Sequence, residues 1–156
     1  RLLGELGIVD EVLVKDMYRT FSSSASYRLF DDALPTLREL GEEGYRLGLI
    51  SNFEQWLEEM LVELEVGHVF DTSVISGVVG IEKPDVAIYE RAIERAGVDP
   101  RRAVHIGDSP AMDAEPATAA GMNVILLDRY DRYADLDFPR VRSLSEVPAY
   151  LAETYS

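Results

Sequence analysis

Cysteine is absent from the chain, which removes disulfides, thiolate metal sites and a cysteine nucleophile, and suits a reducing compartment. No apolar run approaches the roughly 20 residues that cross a bilayer, and nothing at the start has the build of a secretory signal, so a cytoplasmic protein with no membrane partner is expected. Positive charge is scarce: 15 Lys and Arg stand against 29 Asp and Glu, a net charge of −14. The longest basic run is Arg101-Arg102, and a phosphate-backbone partner needs clustered Lys and Arg to displace counterions, so no nucleic-acid partner is expected. Two sequence patterns are missing as well: there is no Gly-x-Ser-x-Gly nucleophile elbow and no Gly-x-x-x-x-Gly-Lys phosphate loop.

What is present, over 156 residues, is the length of one domain with a sizeable core. From residue 34 onward the pattern alternates. Pro35 at a first helical position opens a helix closed by Gly44, and the short apolar run 46–51 (RLGLIS) then reads as a buried strand. Trp56, Leu57, Met60, Leu61 and Leu64 recur at helical spacing opposite Glu58, Glu59 and Glu63, which predicts an amphipathic helix over 54–65. A strand over 72–77, a helix through Val86, Tyr89, Ile93 and Ala96 stopped by Gly97, and strands at 103–106 and 123–128 around an Ala-rich helix complete the series. Four short strands alternating with helices predict right-handed βαβ units, an α/β fold with a Rossmann-like parallel sheet and helices on both faces. In such sheets ligands bind outside the carboxyl ends of the strands, where Ser51 and Asp108 both fall. Residues 1–30 differ: a helical segment and a Ser-rich linker precede the core of 31–156.

Asp108 and Asp113 follow a strand end within six residues. Two converging carboxylates repel unless a cation or proton intervenes, and oxygen-only ligation suits Mg²⁺, which also bridges to substrate phosphate. The competing reading makes Asp108 or Ser109 a helix cap with Pro110 at the first position, although Pro116 then falls just past the first turn. Ser51 and Asn52 precede a helix, so they either hold a phosphate oxygen or serve as an ordinary N-cap. Pro84 keeps Lys83 extended and displayed from a loop, where its ammonium either neutralises phosphate or is simply solvated. His105, inside a strand, and His68 read as structural.

Together these pieces resemble the haloacid dehalogenase-like superfamily. LGLISNF is similar to its second motif, EKPD to its third and HIGDSPAMDAEPATAAGM to its fourth, in the family's order, over residues 28–150. The resemblance implies that Ser51, helped by Asn52, binds the transferring phosphoryl group of a small phosphorylated substrate. It implies further that Lys83 pairs with the phosphate and the nucleophile, that Asp108 ligates Mg²⁺, and that Asp113 supports the metal. Residues 1–30 would be the remnant of an inserted helical cap. One departure is Pro116, where the family often has glycine; a local backbone effect is expected. Because the family's metal-free dehalogenases lack this Gly-Asp, Gly107-Asp108 with Asp113 favours the phosphatase branch, with a metal-free 2-haloacid dehalogenase as the alternative.

The family's first motif, an apolar strand entering Asp-x-Asp-x-Thr, has no counterpart here. Asp135 and Asp137 in ADLDFP imitate it, but polar residues precede them and Pro139 stands in place of the threonine, so they read as a solvated loop. The resemblance places the first-motif strand centrally, between the strands ending at Ser51 and Asp108. Without it, about five backbone groups on each side lose partners, at roughly 1–3 kcal/mol for each buried unsatisfied group. The expectation is a truncated or strand-exchanged chain, inactive by itself, with a homo-oligomer as one means of filling the gap. The rival from another class is a non-catalytic binding or self-associating protein on the same scaffold.

Overall fold

A computed structural model describes residues 11–155. Helix α1 (Glu11–Phe21) and a 3-10 turn (Ser24–Ser26) precede α2 (Ala33–Glu42). The chain then runs through β1 (Gly48–Ser51), α3 (Leu57–Glu63), β2 (Thr72–Ile75), α4 (Ser76–Val79), α5 (Val86–Ala96), β3 (Val104–Gly107), α6 (Glu115–Ala119), β4 (Asn123–Leu127), β5 (Arg140–Val141) and α7 (Val147–Tyr155). The first ten residues of the cap remnant expected at 1–30 lie outside the described residues.

The strands form two parallel sheets. β1 pairs with β2, Gly48 opposite Thr72 and Ser51 opposite Ile75. β3 pairs with β4, which pairs in turn with β5. Among the described residues no backbone hydrogen bond joins the two sheets, so β1 and β3 each have one unpaired edge. Both sheets are nonetheless covered on both faces, as period-two alternation requires. On β4, Val124 and Leu126 enter a cluster with Ile88 and Tyr89 of α5 and Ala117 of α6, while Ile125 between them packs with Leu40 of α2 and Val147 and Leu151 of α7. Ile50 and Val74 reach the same α5 cluster from the first sheet; Leu49 and Ile75 turn to Leu57 and Met60 of α3. Helix α5 therefore ties together two sheets that share no ladder.

Several elements differ from expectation for local reasons. The second strand-like run, expected over 72–77, stops at Ile75, and Ser76 begins α4, ended by Gly80 in the left-handed region (φ 72°). Helix α3 begins at Leu57, later than 54, because residues 52–55 form a loop fastened to α4. Pro35 is the third residue of α2, where a missing N–H costs no intrahelical bond. β5 has only two residues, too few for any pattern to show.

A partly buried carboxylate closes the second half. Asp32, just before α2, accepts both Arg129 guanidinium nitrogens (2.8 and 2.9 Å), the Ser143 hydroxyl (2.7 Å) and the Leu144 N–H (2.8 Å). The Arg129 hydrogen bonds, chiefly, hold its pKa well below the carboxylate range. Asp32→Ala is expected to cost about 2 kcal/mol, less than a fully buried pair because the side chains keep some solvent; a lower urea midpoint at unchanged m-value checks this.

Candidate functional site

The site is assembled where β1 and β3 end. Ser51 closes β1, and since α3 starts six residues later, Ser51 is not a helix cap and no helix N-terminus adjoins it. Its hydroxyl makes no hydrogen bond among the described residues. Asn52, next in line, is held on both sides: its Oδ1 accepts the Lys83 N–H (2.7 Å) and its Nδ2 donates to the Lys83 carbonyl (2.9 Å). This two-way amide grip locks the EKPD loop against the end of β1. The Lys83-Pro84 peptide is cis, and Asp85 caps α5 by accepting from Ala87 N–H.

Lys83 Nζ reaches Asp113 Oδ1 at 2.6 Å, with the Asp113 side chain 4% exposed. The same oxygen lies 3.2 Å from His105 Nε2, and Oδ2 accepts the Ser109 N–H at 3.1 Å. Burial pushes the Asp113 pKa up, but hydrogen bonds from His105 and Lys83 and the lysine's charge outweigh it, holding the group at about 2. Asp113 is thus a fixed anion at neutral pH, with both oxygens engaged. Asp108, by contrast, is exposed and has no hydrogen bond or ion pair among the described residues. Ser109 takes the cap, accepting Met112 N–H at 3.2 Å with Pro110 following. A π-helical turn (Pro110–Ala114) precedes α6, so Pro116 falls at the second position of α6 and is buried.

A continuous line of hydrogen bonds, from Asn52 through Lys83 and Asp113 to Ser109, therefore joins three segments distant in sequence. Of the residues singled out from sequence, Asn52, Lys83 and Asp113 touch this line directly, while Ser51 and Asp108 adjoin its two ends with free polar groups. Asp135 and Asp137 lie exposed in the loop after β4, which Asp128 closes by accepting from Arg132 N–H and Tyr133 N–H.

Two supports are not tied to the site by sequence, where His105 reads only as structural. His105 and Gly107 are two apart on β3 and share a face, the face to which Asp113 returns. A Cβ on Gly107 would stand 2.3 Å from Asp113 Cγ, so only glycine admits the carboxylate. The sign in sequence was the polar His105 inside an apolar run, since a buried imidazole requires a partner. Tyr89 seals the far side, its ring edge-on to His105 and its hydroxyl donating to the Met112 carbonyl.

Two expectations follow. Gly107→Ala should displace Asp113 and cost about 2–3 kcal/mol by overpacking, visible as a lowered melting temperature together with loss of the Lys83–Asp113 contact in a crystal structure. Because the folded Asp113 pKa is depressed from its ordinary 3.8, its stabilising contribution is complete above about pH 4 and fades as pH falls toward 2. That contribution is about 2 kcal/mol. Urea midpoints measured from pH 5 down to 2.5 should fall, and Asp113→Asn should flatten this part of the slope.

Metal-binding capacity follows from the donors. Among the described residues no three His, Cys, Asp or Glu side chains gather as a metal cluster. Asp108 offers one free carboxylate, and Mg²⁺ is held by as few as one or two carboxylates with waters and substrate phosphate. The residues therefore fit a hard, oxygen-ligated cation contacting Asp108, with Asp113 behind it, already engaged.

Residues 2–121 match the family of haloacid dehalogenase-like hydrolases. The chain belongs to that family. A glyceraldehyde 3-phosphate phosphatase of Methanothermobacter thermautotrophicus is 43% identical over 107 residues, covering 67% of this chain and 46% of the relative. Among solved structures, a haloacid dehalogenase-like phosphatase from Thermococcus onnurineus superposes with a TM-score of 0.80 at 28% identity, over 94% of this chain and 67% of the other. A 2-haloacid dehalogenase from Pseudomonas syringae superposes with a TM-score of 0.71 at 31% identity, over 81% and 54%. This hydrolase-family chain spans about half the length of the first curated relatives it matches.

Proposed function

We propose that the complete protein is a Mg²⁺-dependent phosphomonoester hydrolase acting through an aspartyl-phosphate, and that this chain by itself has little or no activity. The observation that carries the reading is the hydrogen-bonded line from Asn52 to Ser109, which leaves the Ser51 hydroxyl and the Asp108 carboxylate as the unengaged groups at its ends. Phosphatases among the relatives support the reaction class.

In this reading each residue has one task. The Ser51 hydroxyl donates to a phosphoryl oxygen, and Asn52 keeps that loop in register with Lys83. Lys83 neutralises phosphate charge from a position fixed by Asp113, an arrangement that needs no reorganisation during reaction. Asp108 holds the cation, and Asp113 supports it at one remove. When bound, Mg²⁺ supplies charge neutralisation and polarisation of the phosphoryl oxygens. The attacking carboxylate comes from an extended segment outside this chain that pairs with the open edges of β1 and β3, uniting the two sheets. Residues 1–30 are the remnant of the helical cap and 31–156 the core in this scheme.

The open edges also suit a second reading, in which another copy or partner adds a strand there without catalysis. Hydrolysis of phenyl phosphate by the product of the whole reading frame separates these. Turnover that requires Mg²⁺ and stops with chelator supports the phosphatase, and absence of turnover alongside a defined oligomer on sizing supports the second reading. Chelator-resistant release of halide from a 2-haloacid would establish a dehalogenase instead.

A further inference from the structure

Beside the site lies a cavity of about 650 Å³, whose wall includes Asn52, next to Ser51, and Glu82, next to Lys83. Phe53 and Trp56 from the loop after β1, with Tyr27 from the linker, give it an aromatic side; ring centroids are 4.8 Å apart for Phe53–Trp56 and 6.0 Å for Tyr27–Phe53. That side is built rather than loose. Phe53 donates its N–H to Ser76 Oγ (3.0 Å) and accepts at its carbonyl from Ser76 Oγ (3.2 Å) and Gly77 N–H (2.9 Å). Gly77 permits the approach, since a Cβ there would fall 2.8 Å from the Phe53 carbonyl oxygen. The charged side chains among the described lining residues are Glu54 and Glu82, both exposed; no Lys, Arg or His is among them.

We propose that this cavity receives the alcohol portion of the substrate and selects phosphomonoesters whose alcohol carries an ammonium group over those carrying a second acid. The inference rests on the phosphatase reading of the adjoining site. Polarity decides it: the phosphate end is drawn to Lys83, while the other end meets two carboxylates and aromatic rings, which attract a cation and repel an anion. A carboxylate placed there would face like charge with no cationic side chain among the described lining residues to pair it, so discrimination arises as much from rejection as from attraction. Glu54 and Glu82 are the specificity-determining residues, acting on the leaving group and not on phosphorus.

Phosphoethanolamine, ethyl phosphate and phosphoglycolate are similar in size and differ in the charge of the alcohol. Calorimetric Kd values for this chain with Mg²⁺ present, where lack of the attacking carboxylate leaves the esters intact, and emission from Trp56, its sole tryptophan, as the marker of cavity occupancy, give the test. Phosphoethanolamine should bind at least tenfold more tightly than phosphoglycolate, with ethyl phosphate between them. Glu54→Gln combined with Glu82→Gln should reduce that ratio below threefold while leaving the Kd of inorganic phosphate unchanged. Phosphoglycolate binding as tightly as phosphoethanolamine, or a ratio indifferent to the double substitution, overturns the selectivity and leaves the phosphatase reading standing. Failure of inorganic phosphate to bind at all overturns the phosphatase reading and this inference with it.

Discussion

Replacing Lys83 with methionine is expected to lower stability by about 3–5 kcal/mol, the usual cost of removing one partner from a buried ion pair. In a chain of this size that corresponds to a melting temperature lower by about 10 °C. The cause lies in Asp113. Its side chain is 4% exposed and its pKa is held at about 2, so once the ammonium 2.6 Å away is gone the carboxylate keeps only His105 and one backbone N–H. Lys83→Met combined with Asp113→Asn should recover most of the loss, because neutralising both partners removes the buried charge itself. A double variant no more stable than Lys83→Met would place the cost elsewhere, for example in the Asn52 grip on the Lys83 backbone. Calorimetric melting of the three variants decides between these.

Asp108→Asn should behave in the opposite manner. Its carboxylate is exposed and has no partner among the described residues, so the melting temperature should stay within about 1 °C, as for other surface substitutions. Metal-dependent hydrolysis by the complete protein should fall by at least about 10³-fold in kcat/KM, since the cation loses its ligand and with it the stabilisation of transferring charge. The variants at Lys83 and Asp108 therefore separate two kinds of residue: one that holds the site together and one that is left free for a ligand. Steady-state kinetics with varied Mg²⁺, set beside calorimetric melting, measures both. An Asp108→Asn enzyme with unaltered metal dependence would remove Asp108 from the site.

Much of this was legible in the residues. The apolar runs GLIS, TSVI, VHIG and NVILL give four of the five strands because both sheet faces are covered, which leaves no alternation to confuse them with surface segments. Asn52, Lys83 and Asp113 stood out as polar groups at strand and helix ends. What they do to one another did not, because a pair such as Lys83 and Asp113 is set by how α5 and the π-helical turn pack, information spread over the whole core. The same holds for Gly107, whose necessity depends on a side chain six residues on. The Asp32–Arg129 pair spans 97 positions and leaves no local trace. Ser51 looked like a cap only because a helix was expected to begin at residue 54; the loop fastened by Ser76 postpones it to Leu57.

Convergence of three chain segments on one cation can be observed without turnover. Mn²⁺, a paramagnetic substitute for Mg²⁺, broadens amide resonances near where it binds, and with 29 acidic side chains on the molecule a specific site must stand out from scattered surface binding. Titration at low Mn²⁺ should broaden the amides of Ser51, Asn52, Lys83 and residues 107–109 together, and Asp108→Asn should abolish the effect. Broadening confined to residues 107–109, or distributed over surface acids such as Glu42 and Glu43 and indifferent to Asp108→Asn, would contradict a single shared site.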